Sequence, residues 1–544
     1  MQPFIAAMLK VRQAFYAAII RSLLRTKSVL QTILNIWIAP SIIKNTNVDQ
    51  NGDIGGGKKQ MYAKFIANVE TAFGESREKS RLVALSDGLR AQFGESLLDH
   101  PMNMLPSYNH QLPTGDECGT YLALDVGGST FRVALIELSG RGSVGEETTI
   151  LKIDSYKISS AVRQLKGVLF FDWMAERISQ TLSGQDEGHD MSSAPLSMGM
   201  SWSFPIEYVY HYPYLSKSAD KFRQTSLRSG LLLSMGKGFL AAHGLLGKDL
   251  GDLIQESCSK KGLNVQLNAI VNDSSATLLS KAYLDQTTRF ALIVGTGLNA
   301  AVHLPVHMFS PPKFGVRPDS WHDAAKHVIV NTELSMFGGG ILPSTKWDER
   351  LRATHPMPDF QPMEYFVSGG YLGEIVRLVL VDGIQTAGLF GGIVPPSLRE
   401  RYSLDTETIS HIESDRSTSL SSARRIFLSR HPTSYPPTQA DMHAIRLIAS
   451  HVTYRACGVL AAGTHALWQL RNEAESIPAD ESSHTLVAYN GSVLENYPRF
   501  RATCQEQLDA LVEATGGKRG FVELMYAEES SLLGAAVAVA CSNG

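Results

Sequence analysis

Two glycine-broken strand segments limit what this chain can fold into more than any other feature. In YLALDVGGSTFRVALIEL (121–138), two apolar runs meet at a glycine pair, the signature of a β-hairpin. In FALIVGTG (290–297), a further apolar run ends in a glycine turn. Paired glycines let backbone N–H groups come close to an anion, and Ser129 and Thr130 add hydroxyls. Either turn alone is as well read as a plain hairpin connection. The two lie about 170 residues apart, and facing each other across a cleft they would clamp a nucleotide's phosphates from both sides.

The surrounding pattern fits an α/β protein. LSMGMSWSFP (196–205) reads as a strand ending at Pro205, and LNAIVND (267–273) as a buried strand with a polar tip. Residues 61–106 and 440–471 carry apolar positions at helical spacing. Residues 404–438, rich in Ser, Thr, Arg and Pro, read as an irregular crossing, and 183–195 as a surface loop. No fixed-period repeat appears, and strands alternate with helices throughout.

Composition excludes several classes. With 44% hydrophobic and 19% charged residues the chain is not globally disordered. A formal charge of -3 gives no general pull toward nucleic acid or acidic lipid, so no nucleic-acid partner is expected. Five scattered cysteines with no C-x-x-C argue against a disulfide scaffold or zinc site and fit a reducing compartment. The N-terminus differs from the rest. Residues 1–48 hold six Lys and Arg, no acid, and apolar clusters. Their longest charge-free stretch, Ser28–Ile43, is shorter than the roughly 20 apolar residues of a spanning helix. The segment reads as a mitochondrial targeting or membrane-surface helix, or else as a helix packed on the globular body. Residues 45–60 read as a flexible linker.

Several polar residues stand out within apolar surroundings. Asp125 precedes the glycine pair, where a carboxylate suits Mg2+, directly or through water. Asn272 and Asp273 end a buried strand, a usual place for reactive groups in α/β folds. Position alone, however, favours a helix cap there. Lys237 sits between glycines and reads as solvated or phosphate-reaching. Asn331–Glu333 and Glu374 offer carboxylates that could accept hydrogen bonds from polyol hydroxyls.

The order of the pieces is the specific signal. DVGGSTFRV, SWSFP, MGKGF, VNDSSATL, GTGLNA, NTELSMFG, FQPMEYFVSGGYLGEIVR, NGSV and ESSLLGAAVA follow one another from about 61 to 540. That series resembles the eukaryotic hexokinase family, and more closely its divergent hexokinase-like members from filamentous fungi. The resemblance implies a two-lobed actin/hexokinase-type (ribonuclease H-like) α/β fold with an interdomain cleft. A targeting segment and linker at 1–60 would precede a small domain at 61–271 and a large domain at 272–540. The last helix, about 528–540, would return to the small lobe. It implies ATP-dependent phosphorylation of a hexose such as glucose at the 6-hydroxyl, the first step of glycolysis, with Mg2+. Asp125, Gly127, Gly128, Ser129, Thr130 and Arg132 match the first phosphate motif, and Gly295, Thr296 and Gly297 the second. Asn490, Gly491, Ser492, Ser531 and Gly534 match nucleotide motifs near the C-terminus. Ser203, Lys237, Asn272, Asp273, Asn299, Glu333, Gln361 and Glu364 match the sugar pocket, with Asp273 as catalytic base and Lys237 offsetting charge on the transferred group. The family's habit of docking on the outer mitochondrial membrane makes that surface the expected one for an otherwise cytoplasmic protein.

The departures are as informative. The family's threonine before the lysine is Gly236, its N-T-E-W-G reads NTE-Leu334-Ser335, and its D-G-S reads Glu529-Ser530-Ser531. Residues 206–222 are an aromatic and basic insert, either a regulatory loop beside the sugar pocket or an in-frame retained intron. The alternative function is therefore a catalytically impaired sugar sensor that acts through a regulatory protein partner.

Overall fold

The computed structural model describes residues 54–542 apart from 75–76, 99, 144, 184–193, 205–223, 233–234, 236–238 and 316. The N-terminal basic segment, the loop at 184–193, the insert and Lys237 lie outside the described residues. Residues 61–544 form one compact unit.

Two helices, Ile54–Gly74 and Lys79–Leu98, lead into the first strand, β1 (Leu105–Pro106). The linker expected to reach residue 60 thus gives way to helix at Ile54, despite three glycines that each cost about 0.5–1 kcal/mol relative to alanine. Next come β2 (Cys118–Val126), β3 (Thr130–Ser139) and β4 (Thr148–Lys157). Helix Val168–Leu182 leads to β5 (Leu196–Trp202). A short ribbon of β6 (Gln224–Ser226) and β7 (Ser229–Gly230), then helix Leu250–Lys260, lead to β8 (Val265–Val271) and helix Asp273–Leu284. The second half brings β9 (Thr288–Val294), β10 (Leu298–Pro305), β11 (His327–Asn331), β12 (Thr485–Asn490) and β13 (Val522–Tyr526), and ends in helix Ser530–Ala540.

The strands form two main sheets with one plan. The first runs β4-β3-β2-β5-β8, and the second β11-β10-β9-β12-β13 with β1 added beside β11. In each, three antiparallel strands are followed by two parallel ones, each entered from a helix. Parallel strands require such crossovers. The repeat is one of topology, with no period in the sequence to announce it. It places the β2–β3 and β9–β10 glycine turns at equivalent corners of the two halves.

Each half ends in a helix after its fifth strand, and these two helices cross between the sheets. Their apolar faces share a core with Ala123, Ala134, Ala291 and Ala488 from the sheets. At the crossing a Cβ on Gly534 would lie 1.9 Å from the Ala276 carbonyl oxygen, so only glycine permits this approach. Ser530 Oγ meets Thr277 Oγ1 at 2.8 Å beside it. Separate cores fill the small lobe around Phe170, Phe171 and Met200 and the large lobe around the helix Gln439–Ala474.

The stretch expected to cross irregularly, 404–438, holds two helices, Thr406–Ser414 and Ser421–Arg430. Asp405 caps the first by accepting from the Thr408 N–H at 2.7 Å. Ile409, Ile412, Ala423 and Phe427 are buried. The dense Ser and Thr content hid an apolar stripe of only two residues per helix.

Candidate functional site

The site is assembled where β8 and β11 end and β10 begins. Asn272, last residue before helix Asp273–Leu284, caps it by accepting from the Ser274 N–H at 2.9 Å and the Ser274 hydroxyl at 2.6 Å. Asp273 is therefore the first helical residue rather than the cap, although its Oδ1 also accepts from Ser274 N–H at 2.8 Å. The capping role thus falls to Asn272, which fixes the backbone, and leaves Asp273 in the first turn of the helix.

From Asn272 a chain of amides crosses to the second sheet. Asn299 Nδ2 donates to Asn331 Oδ1 at 2.9 Å and lies 3.3 Å from Asn272 Oδ1. Asn331 Nδ2 in turn donates to Glu333 Oε1 at 2.9 Å. Asn331 is the site residue that sequence matching left out. Its signal was present in the NTE run, but only the structure shows it bridging strand and carboxylate. Glu364 reaches the same region, accepting from the Leu298 N–H at 3.0 Å. Gln361 Nε2 donates to Ser335 Oγ at 3.1 Å. Glu333 and Gln361 both sit in the left-handed region, with φ of 52° and 56°. Such strain costs of order 1–3 kcal/mol and concentrates at functional sites.

Three carboxylates, Asp273, Glu333 and Glu364, are thus gathered within electrostatic reach. Burial pushes the Glu333 carboxyl up to about 7, with the Asp273 and Glu364 charges adding to the rise and the Asn331 hydrogen bond opposing it. Two consequences have opposite signs. The raised value contributes stability at low pH that is lost as pH rises from the ordinary carboxylate range through about 7. A sugar that donates to ionised Glu333 gains instead as pH rises. If a hexose binds here by donating to Glu333, its affinity is expected to fall about tenfold between pH 8 and pH 6, because burial places that carboxyl at about 7. Titration calorimetry across that range tests this, and the slope should vanish in Glu333→Gln.

The two glycine turns are held differently. In the first, Gly127 N–H donates to Thr130 O at 3.0 Å, and Arg163, unnoticed in the sequence, donates to the Gly128 carbonyl at 3.0 Å. Asp125 lies opposite Arg132 across the hairpin and accepts from its Nε and Nη2 at 2.9 and 2.7 Å. Arg132 also binds Glu529, just ahead of helix Ser530–Ala540. Burial raises the Asp125 carboxyl, and Arg132 pulls it back. Ser203 continues the same wall, its N–H donating to Val126 O at 3.1 Å.

In the second turn, Gly295 N–H donates to Gly297 O at 3.0 Å. The carbonyls of Gly295 and Thr296 accept from Gly369 and Gly370, at the N-terminus of helix Gly369–Ala387. Gly491, at φ 108°, packs on this turn so closely that a Cβ would lie 2.6 Å from Val294 O. It brings Ser492 beside Gly295. Asn490 Nδ2 anchors the strand end to Ala527 O at 2.8 Å. Gly534 differs in place from the other nucleotide-motif residues, since it serves the helix crossing described above, and Ser531 lies in the same helix. Glu374 is a structural group, bound by Arg377 at 2.5–2.6 Å and by the Tyr402 N–H at 2.7 Å.

Among the described residues no cluster of three or more His, Cys, Asp or Glu could hold a metal by itself. Mg2+ in phosphoryl-transfer sites keeps several waters and leans on substrate phosphates plus one or two carboxylates. At the edge of the glycine turn Asp125 offers a single carboxylate whose Oδ2 already accepts from Arg132, a donor set suited to water-mediated contact with such an ion and not to a protein-only cage. Among the described residues no helix is long and apolar enough to cross a membrane.

Comparison with known proteins gives one answer. Two family models, both described as hexokinase, match residues 67–211 with 221–283, and 289–541. The break between 211 and 221 falls inside the insert. "Hexokinase-7" of Oryza sativa subsp. japonica is 29% identical over 495 residues, 88% of this chain and 98% of that protein. The hexokinase of Kluyveromyces lactis is 28% identical over 481 residues, covering 88% and 91%. The solved hexokinase from Schistosoma mansoni complexed with glucose is 27% identical, with a TM-score of 0.69 over 89% of this chain and 99% of that one. With the doubled sheet, the paired glycine turns and matches along nearly its whole described length, this chain belongs to the hexokinase family.

Proposed function

We propose that the protein transfers the γ-phosphoryl group of ATP to the 6-hydroxyl of a hexose such as glucose. The observation that carries this is the meeting of Asp273 with the Asn272–Asn299–Asn331–Glu333 network at the ends of both sheets. Asp273 accepts the 6-hydroxyl proton as that oxygen attacks the γ-phosphorus in line and the β–γ bridging oxygen leaves on ADP. Glu333, Glu364, Asn299, Gln361 and Ser203 accept from or donate to the other hydroxyls. The two glycine turns, with Ser129, Thr130, Thr296, Asn490, Ser492 and Ser531 nearby, position the phosphates. Lys237 offsets their charge. Asp125 would hold Mg2+, directly or through water, and the ion would supply charge neutralisation on the nucleotide's phosphates. Arg132 keeps the Asp125 carboxylate oriented. Calorimetry with glucose and with ATP, followed by a coupled kinase assay, tests the reading. Binding of both without turnover would replace it with the sensor alternative, which the loss of a pocket hydroxyl at Gly236 favours.

The reading extends to location. Residues 1–48 carry six cations and no acid, each cation contributing about 1 kcal/mol near an anionic surface. Deleting them is expected to move a tagged, folded protein from a mitochondrial membrane fraction to the cytosol. Equal cytosolic amounts of both forms would refute membrane docking.

A further inference from the structure

His355 is the polar centre of an aromatic cluster that none of the proposed substrate contacts uses. It ends helix Lys346–Thr354, its N–H donating to Arg352 O at 3.2 Å. Its ring packs on Tyr365 and Tyr371, with centroids 5.0 and 5.9 Å away, and those two rings meet edge to face at 4.8 Å. Both ring nitrogens are engaged by these phenols. Tyr365 Oη lies 3.0 Å from Nδ1, and Tyr371 Oη lies 3.2 Å from Nε2. Met357 offers Nδ1 both its N–H, at 3.1 Å, and its carbonyl, at 3.0 Å, so each ring tautomer finds a partner. The same carbonyl accepts from the Tyr365 hydroxyl at 2.7 Å. Burial, above all, pushes both phenols upward, so their hydroxyls stay protonated.

The two tyrosines belong to different parts of the site. Tyr365 follows Glu364 in helix Pro362–Val367, just after Gln361. Tyr371 lies in the first turn of helix Gly369–Ala387. Immediately before it, the Gly369 and Gly370 N–H groups donate to Gly295 O and Thr296 O at 2.7 and 3.1 Å. A Cβ on either glycine would lie 2.9 Å from the carbonyl oxygen it binds, so this close approach demands glycine. The joint between the helices is therefore Ser368 followed by two residues with no side chain to stiffen it. His355 spans that joint from outside, holding one phenol from each helix.

We propose that His355 is a positioning residue of the phosphoryl-transfer site. By bracing Tyr365 against Tyr371 it fixes Glu364, on the hexose side, relative to the Gly295–Gly297 turn, on the nucleotide side. The proposal rests on the hexose-kinase reading above. Losing one bond of the brace should weaken the ligand on that side by about three- to tenfold.

Calorimetry on the full chain with glucose, and separately with β,γ-imido-ATP and Mg2+, tests it alongside the coupled assay. Tyr365→Phe should lower glucose affinity and leave nucleotide affinity within about twofold. Tyr371→Phe should do the reverse. His355→Ala should lower both, and kcat with them, because the two ligands are then misaligned even when both are bound. Asparagine presents an amide near the Nδ1 position and glutamine near Nε2. His355→Asn should therefore restore mainly glucose affinity, and His355→Gln mainly nucleotide affinity. A purely structural role would lower both affinities together in every variant, and that result would overturn the proposal. Wild-type affinities and kcat in His355→Ala would overturn it too, and would leave the kinase reading standing. Failure of the unaltered chain to bind glucose would remove both readings together.

Discussion

Asp273→Ala is expected to lower turnover by about 10²–10⁴-fold, the usual loss for a general base, while glucose affinity stays within about tenfold. The separation follows from the local geometry. Asn272, not Asp273, is the N-cap of helix Asp273–Leu284, so alanine at 273 leaves the cap bond to Ser274 N–H intact. The amide network that joins Asn272 to Asn299 and Asn331 contains no atom of Asp273. Losing Asp273 also removes one negative charge that raises the Glu333 carboxyl, so the pH at which sugar affinity falls should move downward. A coupled assay with calorimetry at two pH values reads all three quantities. Unchanged turnover in the variant would remove Asp273 from the mechanism. A collapse of affinity with turnover would assign it to sugar binding instead.

Much of this site was legible because its residues lie at strand ends. Apolar runs closed by glycines or by Asn-Asp mark where a buried sheet meets solvent, and β2, β8 and β9 stop where those signals predict. The duplicated plan was hidden because topology leaves no period when the insertions between strands differ so much in length. Arg163 was hidden for a related reason: its support of the Gly128 carbonyl depends on a packing between elements 35 residues apart. The left-handed backbone at Glu333, Gln361 and Glu529 carries no residue-type signature, since glutamate and glutamine give no hint of positive φ. Glu374 misled in the opposite direction. A carboxylate amid apolar residues signals either a ligand or an ion pair, and Arg377 three residues later on the same helix settles it as the latter.

The ion pair between Arg455 and Asp348 is among the most deeply buried in the large lobe, and its loss should produce the largest fall in stability. Arg455 of helix Gln439–Ala474 is 1% exposed and holds Asp348 through two bonds of 2.5 and 2.8 Å. Its guanidinium lies over the rings of Phe73 and Phe366, at 4.7 and 4.5 Å from their centroids. Asp348 also completes the capping box of helix Lys346–Thr354 by accepting from the Thr345 N–H and hydroxyl. Removing the carboxylate strands a cation among aromatic rings with no route to water. Asp348→Ala should therefore cost about 3–5 kcal/mol. Thr345→Ala, which loses only its half of the cap, should cost about 1 kcal/mol. Replacing both partners, Asp348→Ala with Arg455→Met, should recover much of the difference, because the penalty is the unpaired charge rather than the missing bonds. Urea midpoints followed by tryptophan fluorescence, with Trp347 adjacent to Asp348 in the chain, measure the three variants. If Asp348→Ala were no more destabilising than Thr345→Ala, the pair would contribute nothing beyond the cap, and the cohesion of the large lobe would rest on its apolar packing alone.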